Sequence, residues 1–260
     1  DSYCANIVRQ CSNRYGILPD FTTGSADGLR DIKDRALKYT LAHAARPGIQ
    51  TFAEAGKLQA FANKTLVLAI NKYSDITTPK GFFHSKLSVQ TDSACNALNF
   101  YFSDREQSDA DMPGEFNLLK IYNDVESIFD ADTAPDKHAE YKEKVQSALK
   151  TIPESLCTFR IEKTDIHNNS EQIDFIIQKI QILEDAVSPL VGLRKGKIND
   201  VGPYLKCVRD DVIPAIKSII AFITQYPMLE DLYQTFDEFM EEINSSKKAS
   251  GNLSFGDVSS

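Results

Sequence analysis

The sequence predicts an all-α protein, an irregular multi-helix bundle of about 8–10 helices that is stabilised by disulfides. Apolar residues recur at helical spacing in nearly every segment, and no alternating pattern of useful strand length occurs. Short proline, glycine and aspartate connections separate these segments. The 260 residues, 42% of them hydrophobic, are sufficient for a sizeable core. We predict a single domain over residues 1–245 and a disordered tail over 246–260.

The first half of the chain begins with a narrow apolar stripe, and prolines and glycines then separate its predicted helices from one another. A capping-box pattern, Thr51 followed three residues later by Glu54, predicts that a helix begins at Thr51, just after the break at Pro47. Pro135 suits the first turn of a helix. Helices are predicted over 2–14, 27–45, 51–73, 83–104, 116–131 and 135–151, with a short piece after Pro153.

The last third is the most apolar part of the chain. Helices are predicted over 170–187, 198–226 and 227–243, and Pro214 should kink the second of them. Phe175 and Ile182 lie off the main apolar stripe of the first, which predicts that this helix is buried on more than one side. That stripe comprises Ile173, Ile176, Ile177, Ile180, Leu183 and Val187.

The five cysteines are too widely spaced for zinc or CxxC redox chemistry. Cys4 and Cys11 fall on one face of the first predicted helix, with Cα atoms about 10.5 Å apart. That separation exceeds the roughly 7 Å limit for a disulfide. Each is therefore expected to reach a different one of Cys95, Cys157 and Cys207. One thiol would remain, unless it links two copies into a dimer; the alternative is five free thiols.

Several features together predict a secreted protein from which a signal peptide has been removed. The chain starts at Asp1 rather than methionine and carries five cysteines. It also contains four N-glycosylation sequons, at Asn63, Asn168, Asn244 and Asn252. Secretion is compatible with both disulfides and glycans.

Charge and motifs exclude several functional classes. A formal charge of -8 and a pI near 5.1 argue against nucleic-acid binding, which needs clustered basic residues. No apolar run approaches the roughly 18 residues of a membrane span. The four histidines have no partner at a metal-ligand spacing, and no nucleophile motif occurs. We therefore predict a non-enzyme without metal or cofactor.

Two binding hypotheses remain for this extracellular protein. The first, slightly favoured, is recognition of a protein partner through the acidic residues Glu238, Glu241 and Glu242, although these also suit the solvated face of an amphipathic helix. The second is carriage of an apolar small molecule in a cavity between the last helices, although the same residues also suit a packed core. The candidate pocket residues are Phe175, Ile176, Tyr204, Ile220 and Phe222.

Overall fold

The all-α fold class is confirmed by the structure, a computed structural model. It describes residues 22–23, 27–73, 78–102, 117–133, 135–157, 159–161, 170–193 and 198–253. The α-helices are α1 (Asp27–Ala42), α2 (Pro47–Glu54), α3 (Leu58–Ala60), α4 (Val67–Tyr73), α5 (Phe82–Phe102), α6 (Leu118–Asp130), α7 (Pro135–Leu149), α8 (Ser170–Val191), α9 (Gly202–Cys207), α10 (Ile213–Thr224) and α11 (Tyr226–Ser250).

Short helical segments of other types connect some of these helices. Phe61–Leu66, Ile152–Leu156 and Val208–Val212 are π-helical, and Asn199–Val201 is a 3₁₀ turn. The chain divides into two compact units: unit 1 comprises Asp1–Ser88 and Pro227–Ser260, and unit 2 comprises Val89–Tyr226. The prediction of a single domain over 1–245 stays a prediction.

Unit 1 has a core rich in aromatic side chains. Helix α11 contributes Phe236, Phe239, Met240 and Ile243, which pack with buried residues of the helices between 27 and 88. Phe61 and Phe236 stack with ring centroids 6.3 Å apart. The last described helix therefore packs against the first part of the described chain.

The N-terminus of α2 differs from the prediction. Helix α2 begins at Pro47, and Thr51 lies inside it, so the capping-box prediction is wrong. Proline has no amide proton to leave unpaired in a first turn, and Pro47 therefore starts the helix. The helical region is then interrupted by Gly56 at φ +66, a backbone conformation that favours glycine.

Unit 2 buries the apolar stripes of several helices. Ile176, Ile180, Leu183 and Val187 of α8 are fully buried. Pro214 is the second residue of α10, directly after the π-helical segment Val208–Val212, and the kink predicted there stays a prediction. A π-segment there accommodates a proline, which cannot donate to the preceding turn.

Ordered structure continues past the predicted domain boundary at residue 245. Helix α11 reaches Ser250, and Gly251 follows at φ +67. Asn252–Leu253 then pairs in parallel with Thr22–Thr23. Residues 254–260 of the predicted tail lie outside the described residues.

The disulfide part of the fold prediction receives no support. Within the described part of the chain, no disulfide joins Cys95, Cys157 and Cys207 to one another. Cys4 and Cys11, to which bridges were predicted, lie outside the described residues.

No single described helix is long and apolar enough to cross a bilayer. Two consecutive helical stretches, Asn199–Thr224 and Tyr226–Ser250, are together long and apolar enough for a membrane span, by length and composition only.

Candidate functional site: the exposed faces of helix α8

Helix α8 carries large apolar side chains on its surface as well as in the core. Phe175 is 43% exposed, and Ile177 and Ile182 are each 45% exposed. The prediction that Phe175 and Ile182 lie in a second buried face is therefore wrong. Ile177 was predicted to lie on the buried stripe of α8, but its exposure places it at the edge of that stripe. Across the described chain seven large apolar residues are exposed, and three of them lie on this helix.

Phe175 and Ile182 form one outer face of α8. They are seven residues apart, which on an α-helix means almost the same direction and an axial separation of about 10.5 Å. Lys179 lies between them in sequence, and its ammonium nitrogen is 5.2 Å from the centroid of the Phe175 ring. A cation over an aromatic face shields part of the ring while leaving its edge open for contact.

A groove between α7 and α8 begins one turn beyond Ile182, at Ala186. It has a volume of about 650 Å³ and is lined on the α8 side by Ala186, Pro189 and Leu190. Ala148 belongs to its α7 wall. Glu140, Glu143 and Lys144 stand at its α7 side, and a hydrogen bond from Lys144 lowers the pKa of Glu140. The groove thus combines an apolar floor with a charged rim.

A second groove lies between α8 and α10. Its volume is about 380 Å³, and its apolar lining residues are Ile177, Ile180, Ile220 and Ala221. Among the described residues Lys217 is the only charged one in its lining, and its Nζ donates to Glu184. This groove is distinct from the face formed by Phe175 and Ile182, because neither residue lines it.

The five predicted pocket residues occupy different environments. Ile176 is completely buried, Ile220 lines the α8–α10 groove, and Phe175 is on the outer face. Tyr204 and Phe222 are half-buried. The structure therefore places one of the five, Ile220, in a groove that a ligand could enter.

The predicted partner surface on α11 is largely engaged within unit 1. Glu238 accepts hydrogen bonds from Arg46 Nη1 at 2.5 Å and from Tyr39 Oη at 2.8 Å. Glu241 pairs with Lys80 at 2.9 Å. Glu242 is exposed. Two of the three carboxylates therefore already have basic partners in the chain.

These contacts shift the titration of the groups involved. The hydrogen bond from Arg46 is the largest cause that lowers the pKa of Glu238 to about 2, and burial opposes it. The pKa of Tyr39 lies far above its usual range because of burial and of its hydrogen bond to Glu238. The hydrogen bond to Glu238 is the largest cause that raises the pKa of the Arg46 guanidinium, Asp231 adds to the rise, and burial opposes it. At neutral pH Arg46 and Glu238 are therefore charged, whereas Tyr39 keeps its proton and donates it to Glu238.

Two further carboxylates of α11 bind the starts of other helices in unit 1. Asp231 accepts from the backbone N–H of Gly48 at 2.8 Å, at the beginning of α2. Asp237, only 7% exposed, accepts from the backbone N–H groups of Phe83 and His84 at 2.9 and 2.8 Å. Anionic side chains at helix N-termini satisfy unpaired donors and complement the helix dipole. The sequence contained no signal for these partners.

The remaining predicted modification sites are dispersed. Asn63 is partly exposed and lies in the π-helical segment Phe61–Leu66. Asn244 lies in α11 and Asn252 in the strand Asn252–Leu253, whereas Asn168 lies outside the described residues. In the described residues no group of three or more His, Cys, Asp or Glu side chains is placed to hold a metal ion.

Comparisons of this chain with protein-family models, with curated proteins and with solved structures find no match.

Proposed function

We propose that the chain is a secreted, non-enzymatic binding protein that recognises a protein partner through the outer face of α8. The observation that carries this proposal is the exposure of Phe175 and Ile182 on one face of α8, which continues one turn beyond Ile182 to Ala186 in the lining of the α7–α8 groove. Exposed apolar residues that share a face with a groove are typical of interaction sites, whereas isolated ones are not. Aromatic and aliphatic anchors of this kind contribute most of the energy in many interfaces.

Charge on α8 indicates the chemistry of the partner. Glu171, Asp174 and Asp185 are exposed, and these three carboxylates outnumber the Lys179 ammonium that lies over the Phe175 ring. An apolar partner segment flanked by basic residues would find complementary charge here. This moves the proposed surface from α11, where Glu238 and Glu241 are engaged with Arg46 and Lys80, to α8.

The test compares three forms of the protein. The double variant Phe175→Gln, Ile182→Gln removes the apolar anchors, and Leu68→Gln is a matched control because Leu68 is an exposed apolar helix residue in unit 1. Each form is immobilised and exposed to extracellular fluid from the source, and retained proteins are quantified by mass spectrometry. We expect a partner that the unchanged protein and the control retain, with affinity about 10- to 100-fold lower for the double variant.

Equal retention by all three forms, or no retained protein at all, would contradict this proposal. The variants alter exposed positions, so unfolding midpoints should agree closely and loss of folding can be separated from loss of binding. The secreted assignment has its own check: peptide mapping without reduction should find Cys4 and Cys11 bridged to other cysteines. Recovery of five free thiols would reject the bridges and the secreted assignment.

A second candidate function, carriage of an apolar small molecule, is favoured by the α8–α10 groove with its lining of Ile177, Ile180, Ile220 and Ala221. It does not depend on the outer face of α8.

A further inference from the structure

The floor of the α8–α10 groove consists of buried apolar side chains. Ile180 and Ile220 are buried and belong to the core of unit 2, so their positions are fixed by packing. Ile177, which is partly exposed, stands beside them on α8. Fixed side chains at the bottom of a groove allow a ligand to bind without ordering the surface first, which is the usual condition for small-molecule sites.

A small residue creates the space above this floor. Lys217, Ala221 and Thr224 follow one another at intervals of four and three residues, so they share one face of α10. Ala221 stands between two longer side chains, and its lack of atoms beyond Cβ leaves the groove open. From Lys217 to Thr224 the helix rises by about 10.5 Å. That length corresponds to an acyl chain of about eight to ten carbons.

The groove has a positive end. Lys217 is the only charged lining residue in the part of the chain that the structure describes, and Glu184 accepts from its ammonium group. An ammonium has three N–H donors, so a second acceptor can share it. At the opposite end Thr224 donates to the carbonyl of Ile220 at 2.8 Å, and Gln225 is neutral. An anionic group is therefore favoured at Lys217 and an apolar tail toward Thr224.

From this arrangement we infer that the groove binds a single-chain anionic amphiphile, such as a medium-chain fatty acid. The carboxylate shares Lys217 with Glu184, and the chain lies over Ile180, Ala221 and Ile220. Glu184 competes with the ligand for the Lys217 ammonium, and binding is therefore reversible. Because the groove is open to solvent, the ligand can leave without any opening of the core. This inference is independent of the protein-recognition surface, since neither Phe175 nor Ile182 lines the groove.

The experiment uses the full chain with ¹³C-labelled isoleucine methyl groups. Decanoate, decanol and decylamine are titrated below their aggregation concentrations, and methyl shifts of Ile177, Ile180 and Ile220 are followed. We expect saturable shifts at these three residues, with decanoate bound about three- to fivefold more tightly than decanol and decylamine bound most weakly. Lys217→Gln should remove the preference for decanoate over decanol while leaving decanol binding unchanged.

A matched pair of substitutions locates the site. Ala221→Trp fills the groove and should abolish the shifts, whereas Ser218→Trp adds the same side chain to an exposed position of α10 outside the groove lining. Circular dichroism checks that both remain helical. Absence of saturable shifts with decanoate, equal binding to both tryptophan variants, or equal affinity for decylamine would each overturn the inference. None of these outcomes bears on partner retention through Phe175 and Ile182.

Discussion

The carboxylate of Asp237 accepts a hydrogen bond from the backbone N–H of Phe83, a residue that precedes it by 154 positions. The same carboxylate accepts from His84, so one buried side chain of α11 satisfies two N–H groups at the start of α5. An acidic residue that resembles part of a solvated face is thus a helix cap supplied by a distant segment.

Replacing Asp237 should destabilise the protein strongly. Asp237→Ala leaves two N–H groups without their acceptor in a buried position, and we expect the free energy of unfolding to fall by about 2–3 kcal/mol. Asp237→Asn keeps one acceptor oxygen and should cost about half as much. Urea denaturation measures both, with Glu242→Ala as an exposed acidic control on the same helix. An equal effect of Asp237→Ala and Glu242→Ala would show that the cap contributes nothing.

Stability should depend on pH through Glu238. Its pKa is lowered from 4.5 to about 2 in the folded protein, chiefly by the hydrogen bond from Arg46. A carboxylate whose pKa is lower in the folded than in the unfolded state raises the free energy of unfolding. This contribution is fully present above pH 4.5 and is lost as the pH falls toward 2. Because the side chain is 41% exposed, we expect about 1 kcal/mol after allowing for solvent screening.

The Glu238 contribution can be isolated with Glu238→Gln. At pH 6 this variant should be less stable than the unchanged protein in urea, and the difference should shrink at pH 2.5. A difference that stayed constant between the two pH values would exclude the ionised pair as its source. Since Glu238 bonds within unit 1, the substitution should leave partner retention through α8 unchanged.

Gly48 should tolerate no side chain. A Cβ atom there would lie 2.7 Å from the backbone nitrogen of Leu232 and 2.9 Å from its Cα, so the backbone of α11 would have to move. We expect Gly48→Ala to lower the free energy of unfolding by about 2 kcal/mol or more. Gly192→Ala is the control, because its nearest neighbour would be 3.9 Å away. Thermal unfolding of the two variants should separate them clearly; similar midpoints would contradict the close packing of α2 on α11.

Cys207 should react slowly with alkylating reagents. Burial is the main cause that raises the pKa of its thiol, and the Asp211 carboxylate adds to it by charge and hydrogen bonding. Thiolate is the reactive form, so a raised pKa lowers the rate at neutral pH. Asp211→Asn should accelerate iodoacetamide labelling of Cys207 about two- to threefold at pH 8, as peptide mass spectrometry would show. An unchanged rate would indicate that burial alone controls this thiol.

The sequence by itself determined the fold class and the location of most helices. Periodic apolar residues specify a helix locally, because a period of 3.6 residues places them on one side whatever packs there. This is why the positions of α1, α5, α6, α7 and α8 were anticipated to within a few residues. Pro214 is also a local signal, since its missing amide proton acts within its own turn, and it stands just after the π-helical segment Val208–Val212.

Only the tertiary structure decided the roles of individual surface residues. Whether Phe175 and Ile182 are buried depends on which elements cover α8, and periodicity carries no information about that. Asp237 and Glu238 are adjacent in sequence, yet one caps α5 and the other pairs with Arg46. Their partners lie more than 150 residues away. A carboxylate becomes a cap, an ion-pair member or a free surface group according to the donor that packing brings to it, and that donor is chosen by the fold.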